Sequence, residues 1–425
     1  MTWLRLALAN LRHTPLRSAI NILLMALGTL SIVVLLLIGA QLTDRLSKDA
    51  RGVDLVLGAT GSPVQLILAA VYHADVPPGN VSLAAAQRWM NDSRVAAAVP
   101  LAIGDSHRGF RIVGTSLAFF DFYQASPQSG RLWQQPMEAV IGAAVAEQSR
   151  LAIGDRFAGV HGLSSGGHGH DQQSYVVTGI LAPTGTITDR LILTALQSVW
   201  DLHAPAANHA DEHANESHPE THDEHEEGVE EDEHHVAHAP PASHDAEITA
   251  VLLRYRTPLA ALTLPREINA TGQLQAAAPA VQIARILSLL GIGIDGLRAF
   301  AWALVATAAL SVFAALYGSL HARRMDIALL RCLGASRWEL LLCLILEGLL
   351  LSGIGVMLGL VAAHGLTELL GLWLIQQQGV GLTGWIWLQA ETLLLLGLTA
   401  IGGIAAALPA IQAYRTDVAK TLAEA

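Results

Sequence analysis

Apolar residues along this chain gather into four long runs separated by stretches of quite different character. Ser18 to Leu42, Ala299 to Leu320, Leu340 to Ala363 and Thr392 to Tyr414 are each apolar enough to cross a hydrocarbon core, which takes about 20 residues of helix. The second run carries no charge, and the third is interrupted by Glu347. Between 43 and 298 the pattern breaks into short apolar segments punctuated by Gly, Pro, Asn and Asp, as in a folded aqueous domain. The fold expected is a membrane protein of four transmembrane α-helices plus an α+β extracytoplasmic domain.

Inside the 43–298 region the segments are short. Phe110 to Thr115, Glu138 to Ile141, Arg156 to Val160, Ser174 to Leu181, Arg190 to Leu193 and Glu247 to Tyr255 have strand character, with a turn at Gly154 and Asp155. Ser82 to Asn91 reads as a helix with Ser82 at its cap, and a second helix runs to Arg150. Val64 to Tyr72 is too short to span a bilayer and is expected to pack into this domain as strand or helix. From Val281 onward helical periodicity leads into the run at 299–320, so one helix is expected to continue from the aqueous domain into the membrane.

Charge orients the spans. The segment 1–17 holds Arg5, Arg12 and Arg17 without an acid, and the loop 321–339 holds Arg323, Arg324, Arg331 and Arg337 against Asp326 and Glu339. The connection 364–391 has no Lys or Arg. Arginine excess marks cytoplasmic loops, which places 1–17, 321–339 and the tail 415–425 in the cytoplasm and the 43–298 domain on the far side. The first run is too long for a signal-peptide core and is read as a retained span. Trp373, Trp385 and Trp387 are expected to anchor the third and fourth spans at the outer interface. Glu347 is expected to serve a structural role at a dimer interface, and no chemistry is assigned to His364, Glu368 or Glu391, whose place near span ends makes solvation easy.

Composition adds one correction to that picture. The chain is 52% hydrophobic and only 14% charged, with a formal charge of −11. Fifteen of its acids lie between Asp201 and Glu247, where there is no Lys or Arg, so the acidity is local and points to no nucleic-acid partner. The two cysteines, Cys332 and Cys343, lie outside the aqueous domain, which therefore has neither disulfide nor cysteine metal motif.

The same acidic interval carries ten histidines: His203, His209, His213, His218, His222, His225, His234, His235, His238 and His244. With almost no large apolar residue, 203–244 cannot offset its ordering entropy and is expected to be a disordered insertion. Neutral imidazoles interleaved with carboxylates are ligands for Zn2+ and related divalent transition metals, and this spacing permits many transient sites rather than one rigid centre. Weak multivalent metal capture is the preferred reading. A solvated linker with incidental histidines and a pH-responsive tether stay open beside it. The Ser164 to His170 cluster SSGGHGH reads as an exposed loop tip, and no HExxH is present.

In the loop 321–339, Ile327, Leu329, Leu330 and Leu333 form one helical stripe with Arg323, Asp326 and Arg331 at its margins. Gly334 then allows a turn, and Ser336 can cap the helix that follows. Charge alone would fit any cytoplasmic loop. The chain also has no GxxxxGK[ST] phosphate loop, and GATGS at Gly58 to Ser62 lacks the lysine, so ATP would have to be bound by another subunit.

Three segments carry a resemblance. LALANLRHTPLRSAINILLMALG from Leu6, MDIALLRCLGAS from Met325 and ALPAIQAYRTDVAKTLA from Ala407 resemble the opening, loop signature and last-span exit of FtsX-like, MacB-type ABC transporter permeases, over essentially the whole chain. Met325 and Asp326 stand where Arg-Glu is usual in that family, and Asp417 where proline is common. The resemblance implies a four-span, non-catalytic permease with a periplasmic domain, working as a dimer of copies or paralogues in the bacterial inner membrane with a separate ABC ATPase. It implies coupling to that ATPase through Arg323, Arg324, Asp326, Ile327, Leu330, Arg331, Gly334 and Ser336. Joined to the histidine tract, the preferred expectation is a system for zinc or related metal uptake or homeostasis, with a periplasmic substrate-binding or metal-binding protein as a further partner. Export or lipoprotein extraction with a dispensable tract, and regulation of a periplasmic hydrolase without transport, are the alternatives.

Overall fold

A computed structural model of the chain describes residues 15–161, 174–203, 246–322, 336–378 and 381–415, with Ala7, Leu11, Arg12, Cys332 and Gly334. It divides into a helical unit, Met1–Leu46 with Arg285–Ala425, and a sheet unit, Ser47–Ala284.

Four long helices account for the apolar runs: Pro15–Asp49, Pro279–Ala322, Arg337–Gln378 and Gln389–Arg415. All four are long and apolar enough to cross a membrane. At 1.5 Å per residue the second, of 44 residues, is about 66 Å long, so roughly half of it extends beyond a hydrocarbon core. Its charged residues Arg285, Asp295 and Arg298 all precede the apolar run, and Asp295 pairs with Arg298 one turn away at 3.0 Å. The third helix continues to Gln378, past the expected span end at 363, because Ala362 to Leu374 holds no proline and keeps strong helix formers. The 364–391 connection is thus helical over its first part.

The helices are held together by small and branched side chains at one seam. Met25, Ile32, Val305, Val356 and Leu398 are buried against one another, while Phe300, Leu358, Leu393 and Ile404 remain exposed on the outer faces. Polar contacts register the seam: the Ser352 hydroxyl lies 3.2 Å from the Thr399 carbonyl oxygen, and the Ser311 hydroxyl 2.5 Å from Asn21 Oδ1.

The sheet unit is built on a mixed sheet. Its main path runs Gln275–Ala277, Leu55–Gly58, Ala250–Tyr255, Val95–His107, Phe110–Thr115, Leu191–Ala195, Glu138–Ile141, Tyr175–Leu181 and Pro127–Gly130. Two adjacent pairs are parallel, Phe110–Thr115 with Leu191–Ala195 and Glu138–Ile141 with Tyr175–Leu181; the others are antiparallel. Trp89, Leu264 and Ile268 from two helices, Leu83–Met90 and Ala260–Ala270, pack on Leu55, Leu57, Val251 and Leu253. At the other end Val145 from the helix Ala143–Ser149 covers Ile141, Ile192 and Tyr175.

Local chemistry explains several choices. Val64 to Tyr72 becomes the helix Pro63–Ala70 because Ser62 accepts from the Gln65 amide and Pro63 presets the first turn. Ser82 precedes its helix in extended conformation, but its side chain makes no capping bond. The expected strand Arg156 to Val160 is two short pieces, Arg156–Phe157 and Val160–His161, each on a different neighbour.

Candidate functional site

The loop before the third long helix is set by two described residues. Gly334 has φ +103°, a left-handed conformation that favours glycine, and among the described residues no atom lies within 4 Å of where a Cβ would stand. Two residues on, Ser336 and Glu339 form a reciprocal capping box: the Ser336 amide donates to Glu339 Oε2 at 2.8 Å and the Glu339 amide to the Ser336 hydroxyl at 3.3 Å. Ser336 therefore caps as its sequence predicts, and Glu339, read only as a charge, is the other half of the motif. Trp338 meets Tyr414 edge-on at 5.5 Å and the Arg337 guanidinium lies 5.9 Å from the same ring, which ties the start of the third helix to the end of the fourth. Arg323, Arg324, Asp326, Ile327, Leu330 and Arg331 lie outside the described residues.

Glu347 is buried within the helical unit itself. It is 5% exposed within this single chain, beside a small cavity shared with Arg17, Ser18, Asn21, Leu316 and Ser319. Three of the chain's own helices bury it, so a dimer interface is not needed to remove it from lipid.

A polar network in the helical unit joins His364, Glu368 and Glu391 to the 383–388 segment. Glu391 is fully buried, and His364 Nε2 lies 3.1 Å from its Oε2. His364 Nδ1 contacts the Gly384 carbonyl oxygen, which can only accept, so Nδ1 carries a hydrogen. The other contact then needs one more proton, on Nε2 or on the carboxyl group. Trp387 stacks on the imidazole with the rings 10° apart. Alongside, Glu368 accepts from the Thr383 hydroxyl at 3.0 Å and the Gly384 amide at 2.7 Å, and Gln41 makes two bonds to the Thr383 backbone at 2.9 Å. Easy solvation was the wrong expectation for Glu391, since the segment after 381 folds back over it. Trp373, Trp385 and Trp387 are exposed, as interfacial anchors would be.

Of the ten histidines of the tract, His203 alone is among the described residues. His203 closes the helix Leu196–His203; His209, His213, His218, His222, His225, His234, His235, His238 and His244 lie outside the described residues. Among the described residues no group of three His, Cys, Asp or Glu side chains could hold a metal ion. The ends themselves are pinned: the Trp200 indole donates to the Glu247 carbonyl at 2.6 Å, Glu247–Ile248 pairs with Val81–Ser82, and the Leu83 amide bonds Ala246.

Two family models match. Residues 298–418 match the FtsX-like permease C-terminal domain, and residues 18–216 the MacB-like periplasmic core domain. The chain belongs to the FtsX-like, MacB-type ABC transporter permease family. Permeases of this family work with an ABC ATPase partner, typically as dimers. Comparison with curated proteins returns no match. Among solved structures, the periplasmic region of MacB from Actinobacillus actinomycetemcomitans is similar at 9% identity and TM-score 0.32, over 56% of this chain and 95% of that one. The extracellular domain of the noncanonic ABC-type transporter YknZ from Gram-positive bacteria gives 11% and 0.30, over 52% and 98%. A permease domain from Porphyromonas gingivalis gives 13% and 0.26, over 53% and 87%. The family assignment rests on the two domain matches.

Proposed function

We propose that this permease passes the ATP-driven motion of a separate ATPase subunit to its sheet unit, and that it does so in the bacterial inner membrane as a dimer with both termini in the cytoplasm. The observation that carries the reading is the fixed corner at Gly334 and Ser336, which joins the 321–339 loop to a helix start clamped by its own capping box. A push on a stripe of Ile327, Leu329, Leu330 and Leu333 would reach the third long helix without being absorbed by a frayed end. The chain itself is non-catalytic in this scheme, and ATP is bound by the partner.

With the partner ATPase co-reconstituted, Arg331→Glu or Gly334→Leu should abolish permease-stimulated ATP hydrolysis while the sheet unit keeps its unfolding transition. Full stimulation in both variants would remove the loop from the mechanism. The histidine tract favours divalent transition metals, Zn2+ foremost, as what this system captures or senses, with a metal-binding protein on the same side as a further partner. Unchanged growth under zinc chelation after deletion of the tract would defeat that part alone.

A further inference from the structure

The sheet unit holds a cavity of about 400 Å³, within the roughly 300–1,000 Å³ typical of small-molecule sites. Lys48, Arg51 and Arg254 contribute to its wall, and among the described residues that line it there is no Asp or Glu. Arg51 and Arg254 leave the lining with a positive balance, which favours negative charge, while the buried Asp49 lies close enough to act on Tyr123.

Arg254 is locked in place rather than lying loose on the surface. Its Nε donates to the Gly52 carbonyl at 3.1 Å, its Nη2 to the Phe122 carbonyl at 2.8 Å, and its guanidinium lies 4.4 Å over the Phe122 ring. Gly52, at φ +83°, leaves room that a Cβ would fill by colliding with this guanidinium. Neither carbonyl bond uses Nη1, which has no acceptor among the described residues. Also in the wall, the Tyr123 hydroxyl is buried without a hydrogen-bond partner in the described structure, and burial, followed by the charge of Asp49, raises its pKa, so it stays a donor at neutral pH. Thr184 and Thr186, which also line the cavity, belong to a turn fixed by Asp189, which accepts from the Thr184 amide at 2.8 Å and the Gly185 amide at 2.7 Å. That rigidity reduces what a ligand must order on binding.

We propose that this cavity binds a phosphate-bearing anion, with Arg51 and Arg254 as its charge partners and Tyr123 and Ser126 as neutral donors. Guanidinium groups match tetrahedral oxyanions through paired charge-assisted bonds, and the volume leaves space for the group esterified to the phosphate. The same chemistry belongs to a soluble phosphate ester and to the head group of an anionic phospholipid. The full chain in detergent, in phosphate-free buffer, should be titrated calorimetrically with inorganic phosphate, glycerol 3-phosphate and short-chain phosphatidylglycerol. Saturable binding is expected, weakened about tenfold or more by Arg51→Glu and unchanged by Arg266→Glu, a charge reversal at an exposed site that does not line the cavity. Binding of the first two ligands assigns a soluble source, and binding of phosphatidylglycerol alone assigns a lipid head group; either sustains the site. No saturable binding of any, or equal weakening by both variants, overturns it.

Discussion

His73 is 6% exposed in the sheet unit, and burial, followed by the charges of Arg111 and Arg190, lowers its pKa from 6.5 to about 3. Between those values the unfolded chain takes up a proton that the folded chain refuses. The linked stability is whole above pH 6.5 and is lost progressively as pH falls toward 3. His73 also sits at φ 51°, a conformation that asparagine tolerates. His73→Asn should flatten the fall of the melting temperature over that pH interval, and an unchanged slope would show that other groups set it. Glu391 allows a second test at this scale. Glu391→Ala leaves His364 Nε2 and the Leu388 amide without their partner and should cost about 1–3 kcal/mol in detergent unfolding, whereas Glu391→Gln, which keeps hydrogen-bonding atoms in place, should cost clearly less. The capping serine was legible because its pattern is local. The His364–Glu391 contact was not, because it joins residues 27 apart through a fold-back at Gly384 that no spacing rule announces.

Among elements, the strands rich in branched residues were readable and Val95–His107 was not. It is 13 residues of mostly alanine, valine and small groups with Pro100 inside, a composition that argues against a central strand. Burial overrides it: Val99, Leu101 and Ile103 are covered between Ala250–Tyr255 and Phe110–Thr115, and the ladder shifts register between Ile103 and Ser106. The helix Ala260–Ala270, with Pro265 inside, was missed for a similar reason: its buried stripe of Ala260, Leu264 and Ile268 finds its partner only in the folded sheet. The histidine insertion belongs to this scale too. Its flanks are secured by their own bonds, so replacing 204–244 with a short linker should leave the sheet unit folded and, for a chain of that composition, favour it by up to about 2 kcal/mol in closure entropy. Calorimetry on the same variant should show zinc uptake lost. Retained uptake would move metal binding elsewhere.

For the whole molecule, the number and order of apolar runs carried the architecture, and the domain matches at 18–216 and 298–418 follow it. The continuation of the second helix from the sheet unit into its apolar run follows the helical periodicity from Val281, whereas the run of the third helix on to Gln378 did not show in hydropathy. Pro279–Ala322 is a single helix across the boundary between the two units at 284 and 285. Ser288 is exposed within it, so Ser288→Pro would kink the helix at a cost of about 3 kcal/mol without cutting into a core. With the partner ATPase present, this variant should keep ATP hydrolysis while an ATP-dependent signal from the sheet unit disappears; a surviving signal would assign transmission to another helix. The Trp200 bond to Glu247 offers the place for such a reporter. Because the chain leaves and re-enters the sheet unit side by side, a fluorescent protein grafted between 203 and 246 would ride on it as a passenger, and the native insertion marks a doorway already open to foreign cargo.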